Sequence, residues 1–140
     1  MPPVLNTLMK YIERVCVHHA EEIIKPEYKE LKKEGDHPLF GLCYAASEAF
    51  YYLAKKQVPH IQMKGAQARI FWRGDWVSHW VVIVEYNNNT HFVDITAGQF
   101  LNEIDIPYDS FVGRGFKPNK SNGASFIINK VDEWLYLLPQ

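Results

Sequence analysis

The spacing of apolar side chains predicts a helix at each end of the chain. Near the N-terminus, apolar residues recur three and four positions apart, which indicates an amphipathic helix over residues 3–25. Pro26 should end or kink this helix, because proline lacks the amide hydrogen of a helical bond. The charged residues 27–34 indicate a short solvated helix. Near the C-terminus, the same spacing predicts a closing helix over residues 125–138.

A further helix is predicted in the first half of the chain, after a loop. Residues 35–38 contain both Gly and Pro, which break regular structure. Helical spacing resumes over residues 42–56, and Pro59 stops it. Small side chains such as Ala45 and Ala49 would let this helix lie close against a sheet.

In the middle of the chain the pattern changes to that of strands. Apolar and β-branched residues form runs bounded by turn-forming residues, which predicts an antiparallel meander. The asparagines of the second turn tolerate left-handed backbone. The predicted strands cover residues 61–72, 77–86 and 91–95, with turns at 73–75 and 87–89.

The remaining segment is rich in Pro, Gly and Asn. Residues 96–102 could form a turn or one helical turn. The composition of residues 103–122 predicts a long surface loop. Loops of this length in compact domains are often functional. Together the patterns predict one α+β domain over residues 1–140, in which N-terminal helices precede a helix packed on an antiparallel meander, followed by a closing helix.

Composition excludes several classes of protein. With 140 residues, 47% apolar and 22% charged, the chain has the composition of an ordinary globular protein. The net charge of −1 offers no broad attraction to nucleic acid or anionic lipid. Basic residues over 114–130 could form a local patch, although a solvated surface explains them more simply. We therefore expect no nucleic-acid and no membrane partner.

The two cysteines, Cys16 and Cys43, are too few for a disulfide scaffold. No apolar run approaches the roughly 20 residues that span a bilayer, and the first residues lack the basic-then-apolar pattern of a signal peptide. We expect a cytoplasmic protein, in which Cys43 stays a free thiol. Cys16 lies on the apolar stripe of the first helix, where packing is its expected role.

Three residues could form a thiol active site. Cys43 stands at the start of a predicted helix, directly after the small-residue turn at Gly41. His79 heads an apolar strand and Asp94 ends the next one. Cysteine, histidine and aspartate can serve as nucleophile, base and orienting group. A helix N-terminus also favours negative charge, through its unpaired backbone N–H groups and its dipole.

The hairpin register decides how these residues meet. A turn closed by residues 85 and 88 places His79 directly opposite Asp94, so that the carboxylate could accept a hydrogen bond from the imidazole. The same register places His91 opposite Val82. A bulge would shift this pairing.

Each of the three residues also has a simpler explanation. Taken singly, Cys43 and His79 could be core residues, and Asp94 could merely end a strand. A metal site of two histidines and one carboxylate, formed by His79, His91 and Asp94, is another alternative. Because the expected register separates the histidines along the sheet, we expect no metal and no cofactor.

Five further residues are candidates for contact with a substrate. The backbone N–H of Cys43 or Tyr44 could stabilise an oxyanion. Gln67 or Gln99 could supply a second donor, although a surface amide explains either. Tryptophans near the first turn, Trp72 among them, could wall a substrate cleft or could pack in the core. The candidates are Tyr44, Gln67, Gln99, Trp76 and Trp80.

These residues stand in a pattern that resembles the papain-like superfamily, and within it the transglutaminase-like branch of cysteine proteases, amidases and acyltransferases. The resemblance is carried by residues 41–47, 78–80 and 93–100, which are also similar to segments of small uncharacterised bacterial and phage proteins. It implies a helix packed on an antiparallel sheet and a thioester intermediate on Cys43. It also implies that His79 acts as base and then acid, that Asp94 orients it, and that no metal is needed. Papain-like proteases often carry a glutamine upstream of the cysteine, and none precedes Cys43.

We therefore expect a cysteine-dependent hydrolase or acyltransferase that attacks an amide or peptide-type bond of a peptide, protein or small amide substrate. Hydrolysis, transfer and deamidation share the same acyl-enzyme and stay open at this point, as does the oligomeric state. The main alternative is a non-catalytic protein of the same fold that binds a host protein or a small ligand in an aromatic cleft.

Overall fold

The computed structural model describes residues 1–32 and 36–137, with side chains up to Trp134. Within these ranges the chain has mixed α+β structure, with five α-helices and a four-stranded antiparallel sheet, so the α+β prediction is confirmed at this level. Predictions made for residues 33–35 and 138–140 lie outside the described residues. The helices are α1 (Pro3–His18), α2 (Ala20–Ile23), α3 (Pro26–Leu31), α4 (Cys43–Gln57) and α5 (Asn122–Leu137). The strands are β1 (Gln62–Trp72), β2 (Asp75–Tyr86), β3 (Asn89–Val93) and β4 (Val112–Gly113), and 3₁₀ helices cover Ala97–Phe100 and Tyr108–Ser110.

The predicted N-terminal helix is broken at His19, so the single helix over residues 3–25 was wrong. His19 leaves helical geometry, with φ −123° and ψ 26°. Its carbonyl accepts bonds from the N–H groups of Glu22 and Ile23, and its Nδ1 bonds the Glu22 carboxylate at 2.5 Å. These local bonds start α2, in which Ile23 is buried. Pro26 begins α3 instead of only ending a helix, since proline suits the first helical position.

Helix α4 packs on one face of the sheet, and α1 and α5 pack against α4 and each other, so that together they form the larger core. Its side chains are apolar and almost wholly excluded from water, and each of the large ones contributes about 1.5–3 kcal/mol by burial. Ser47 is an exception: its hydroxyl donates to the carbonyl of Trp80 at 3.1 Å and joins α4 to β2. Large members of this core are Leu5, Ile12, Phe50, Val82, Val84 and Ile127.

The β2–β3 register differs from the prediction by two residues. Val84 pairs with His91, whereas the predicted closure would pair it with Asn89. The turn consists of Asn87 and Asn88, with φ values of 51° and 62°. The predicted closure would have placed Tyr86 in that left-handed region, which is unfavourable for a bulky residue. Because the shift is even, every side chain keeps its face.

The predicted surface loop over residues 103–122 is partly ordered structure. It contains a 3₁₀ helix and the short strand β4, which pairs with β1. The sheet therefore has four strands, where three were predicted. Gly65 of β1 allows this approach: its carbonyl accepts a bond from Arg114 N at 2.7 Å, and a Cβ there would lie 2.8 Å from the Arg114 carbonyl oxygen. A strand of two residues is too short to show an alternating apolar pattern, so the sequence could not predict β4.

The loop and a 3₁₀ helix cover the second face of the sheet. Phe100 and Phe111 are buried there against apolar residues of β1 and β2. The sheet is therefore packed on both faces, and His79 lies in this second core with no exposed surface. In the described part of the chain, no helix combines the length and apolar character needed to cross a bilayer.

Candidate active site

His79 and Asp94 form a buried hydrogen-bonded pair. His79 Nε2 lies 2.9 Å from each carboxylate oxygen of Asp94, and the side chain of Asp94 is only 3% exposed. The sequence predicted that Asp94 is the direct cross-strand partner of His79, and this was wrong. Asp94 directly follows β3 and is a diagonal neighbour of His79 on the same face of the sheet. The rings of Phe100 and Phe111 lie 4.9 and 6.0 Å from the imidazole and exclude water from the pair.

Cys43 is the first residue of α4. Gly41, with φ +78°, makes the turn before it, and a Cβ there would lie 3.0 Å from the Cβ of Tyr28. The Cys43 Sγ is 3.8 Å from the carbonyl oxygen of Ser78, next to His79 in β2. With the Ser47–Trp80 bond, this contact fixes the start of α4 against β2. The Cys43 side chain is almost buried, being 9% exposed.

The thiol and the imidazole interact. Burial of the ring lowers the pKa of His79, but hydrogen bonds to Asp94 and Cys43 and the charges of both raise it more, to about 9. Since Nε2 bonds Asp94, Nδ1 is the ring nitrogen left for the thiol, and it has no hydrogen-bond partner among the described residues. At neutral pH the favoured form of His79 is therefore the imidazolium, paired with the carboxylate of Asp94.

The start of α4 offers backbone donors beside the thiol. The N–H groups of Cys43 and Tyr44 belong to the first helical turn, where no intrahelical partner exists. In the described part of the chain they have no other hydrogen-bond partner. The N-cap, Leu42, has no side chain that could occupy them.

The side chain of Tyr44 holds neighbouring chain segments. Its hydroxyl accepts a bond from Lys117 N at 3.1 Å and lies 3.4 Å from Glu48 Oε2, and its ring packs against Trp80. Glu48, which is fully buried, also accepts a bond from Ser121 N at 2.9 Å. The side chain of Tyr44 therefore holds neighbouring segments together, while its backbone N–H stays available beside the thiol.

The two glutamines differ in position. Gln67 bonds the Ser78 hydroxyl and accepts a bond from Arg114 Nη1 at 2.8 Å, so it lies close to the thiol but is already engaged. Gln99 is buried in the 3₁₀ helix after Asp94, and its Oε1 has no partner among the described residues. Gln99 is next to Phe100, whose ring packs on His79, so its role as a donor stays a prediction.

The tryptophans of the hairpin do not form one cluster. Trp72 is buried on the face of the second core and donates to Glu103 at 3.0 Å. Trp76 and Trp80 lie on the opposite face, which α4 covers in part. Trp80 is half-buried between Tyr44 and Phe116, whereas Trp76 is exposed.

Tyr108 is a site residue that the sequence did not reveal. Its hydroxyl donates to Asp94 Oδ2 at 3.0 Å, and its ring stacks on Phe92 at 5.3 Å. Burial and the charge of Asp94 raise the pKa of this phenol, which therefore stays a donor at neutral pH. Because Tyr108 belongs to the predicted surface loop, no pattern linked it to Asp94.

The remaining candidates do not lead to another site. Among the described residues, no group of three or more His, Cys, Asp or Glu side chains could hold a metal ion. His91 pairs with Val84, so its predicted pairing with Val82 was wrong. Cys16 is fully buried in α1, and burial together with the charge of Glu13 raises its pKa to about 12.

No family model matches the chain, and no curated protein or solved structure matches it either. The assignment of a function therefore depends on the geometry around Cys43.

Proposed function

We propose that the protein is a cysteine-dependent hydrolase or acyltransferase that acts on an amide or peptide-type bond, with a papain-like, transglutaminase-like arrangement. The observation that carries this proposal is the buried His79–Asp94 pair, in which His79 directly follows Ser78, whose carbonyl oxygen lies 3.8 Å from the Cys43 thiol. A helix that begins at the cysteine and packs on an antiparallel sheet supports the same class.

In the first step the thiolate of Cys43 attacks the carbonyl carbon of the substrate. As the carbon–sulfur bond forms, the carbonyl oxygen becomes negative, and the free N–H groups of Cys43 and Tyr44 can stabilise it. The imidazolium of His79 gives its proton to the leaving amine while the carbon–nitrogen bond breaks. A thioester on Cys43 and a neutral imidazole result.

In the second step His79 removes a proton from water, or from an amine, which attacks the thioester. The carbon–sulfur bond breaks and returns Cys43 as thiolate beside the imidazolium. Asp94 stays ionised throughout and orients the ring. With water the outcome is hydrolysis or deamidation, and with an amine it is transfer. Hydrolysis of a peptide or side-chain amide is the first reaction to test.

A non-catalytic binding protein of the same fold is the second candidate, favoured by the exposed ring of Trp76. A binding surface alone does not account for His79 and Asp94. Burying an ion pair carries a desolvation penalty that packing alone does not require, and perturbed buried groups of this kind concentrate at functional sites.

The deciding experiment is iodoacetamide alkylation followed by mass spectrometry. At about pH 6, well below the usual thiol pKa of about 8.5, Cys43 should react much faster than Cys16, the internal control. His79→Ala should remove this difference, and Cys43→Ala should abolish any acyl transfer with little loss of stability. Equally slow reaction of both cysteines would exclude the thiol mechanism and favour the binding protein.

A further inference from the structure

The β1–β2 hairpin extends beyond the start of α4. Along α4, Ser47 bonds the carbonyl of Trp80 and Cys43 contacts the carbonyl of Ser78, so the helix N-terminus points towards the hairpin tip. Directly paired residues share a face of the sheet. The pair Phe71–Trp76 therefore lies on the face that α4 covers, but past the end of the helix.

This uncovered face carries large apolar side chains. Phe71 and Trp76 are 55% and 58% exposed, and their rings lie 5.3 Å apart. Val112 of β4, which is 70% exposed, pairs with Gln67 and so lies on the same face. Exposed apolar residues concentrated on one face often mark a binding surface.

Two arginines accompany these side chains. Arg69 pairs with Ser78 and is exposed, and Arg114 lies over Gln67 through its 2.8 Å bond. Neither guanidinium has an ion-pair partner among the described residues. We name this surface the hairpin platform, and it consists of Arg69, Phe71, Trp76, Val112 and Arg114.

The hairpin platform is continuous with the thiol. Ser78 lies on its face directly beside Arg69 and next to the aromatic pair, and the carbonyl of the same residue is 3.8 Å from Cys43 Sγ. The chain as a whole has a net charge of −1, so the positive charge here is a local property of the platform. A ligand on the platform therefore meets an aromatic pair, two guanidinium groups that have no ion-pair partner among the described residues, and the nucleophile.

We propose that the hairpin platform binds an extended peptide segment that carries an aromatic or aliphatic side chain beside a carboxylate. The apolar side chain packs on Phe71 and Trp76, and the carboxylate pairs with Arg69 or Arg114, as a guanidinium fork can bond both carboxylate oxygens. This inference rests on the proposed function: the peptide segment is part of the substrate, and its binding brings an adjacent amide to Cys43.

Binding can be measured without chemistry by using the Cys43→Ala protein. The probe is the fluorescein-labelled peptide Gly-Glu-Phe-Glu-Gly, followed by fluorescence anisotropy. The comparison peptides are Gly-Lys-Phe-Lys-Gly and Gly-Glu-Ser-Glu-Gly. The acidic aromatic peptide should bind roughly tenfold more tightly than either, and more weakly as salt is added.

Matched substitutions test the location. Trp76→Ser and Arg69→Glu, each in the Cys43→Ala background, should weaken binding roughly tenfold. Val17→Ser and Arg14→Glu remove an exposed apolar and an exposed basic side chain of α1 and should leave binding unchanged. Equal melting temperatures would show that the variants are folded.

Two results would overturn the proposal: equal affinity for the acidic and basic peptides, or unchanged binding by both Trp76→Ser and Arg69→Glu. Neither result bears on the alkylation of Cys43 in the unmodified protein. Conversely, an unreactive Cys43 with selective peptide binding would overturn the proposed enzyme and retain the platform as a peptide-binding surface.

Discussion

Tyr108 donates a hydrogen bond to the carboxylate of Asp94 at 3.0 Å, on the oxygen Oδ2 that also contacts His79. The acid of the proposed triad is thus held from two sides, by an imidazole and by a phenol. Both partners lie among aromatic rings of the second core, so the loop that carries Tyr108 helps to order the site.

Tyr108→Phe should slow the reaction at Cys43 without unfolding the protein. The ring that stacks on Phe92 is kept, and only a bond to a charged group is lost, which contributes about 1.5–3 kcal/mol. If about half of this energy is lost from stabilisation of the transition state, the rate of p-nitrophenyl acetate hydrolysis should fall by roughly tenfold. Tyr11→Phe in α1 is the control. An unchanged rate would limit Tyr108 to a structural role.

Asp94→Asn should retain the fold but reduce p-nitrophenyl acetate hydrolysis by orders of magnitude. The amide has nearly the same shape, but it has no charge to stabilise the imidazolium and can leave His79 in the wrong tautomer. The pKa of His79, followed by NMR, should fall in the same variant. Asp105→Asn, at an exposed position, is the control. Unchanged kinetics would assign Asp94 to structure alone.

The sequence predicted most elements that surround the site because their signals are local. The turn at Gly41, the small residues of α4 and the apolar run of β2 each depend on near neighbours, and the predicted bounds of α4 were one residue from those observed. That His79 and Asp94 would share a face also followed from the period of two along a strand.

The parts that were missed depend on contacts distant in sequence. Tyr108 and Asp94 are joined only because the loop folds over the second face of the sheet, and β4 exists only because Gly65 admits the loop backbone. The hairpin register depends on whether Tyr86 or Asn88 adopts left-handed backbone in the turn. The pattern of apolar residues carries no information about that choice.

Gly65→Ala should destabilise the protein and disturb the hairpin platform. The new Cβ would lie 2.8 Å from the carbonyl oxygen of Arg114 and 2.8 Å from the ring of Phe116, so the backbone beside β4 would have to move. A cost of about 1–3 kcal/mol in the free energy of unfolding is expected for overpacking. Urea denaturation of Gly115→Ala is the control, because a Cβ there meets nothing within 4 Å. Equal stability of the two variants would contradict the close approach.

The free energy of unfolding should decrease as the pH rises from about 6.5 to about 9. The pKa of His79 is raised in the folded state, from 6.5 to about 9, so the folded protein keeps a proton that the unfolded chain loses. Its contribution is therefore complete below pH 6.5 and is lost through this interval, with a slope of at most about 1.4 kcal/mol per pH unit.

Urea denaturation across this interval measures the slope, and His79→Gln is the comparison. Cys16, whose pKa burial raises to about 12 in the folded state, is present in both proteins, so loss of its proton contributes equally to the two curves. The wild-type protein should therefore lose stability across the interval more steeply than His79→Gln. Parallel curves would show that His79 carries no extra proton in the fold, and the resting imidazolium would have to be abandoned.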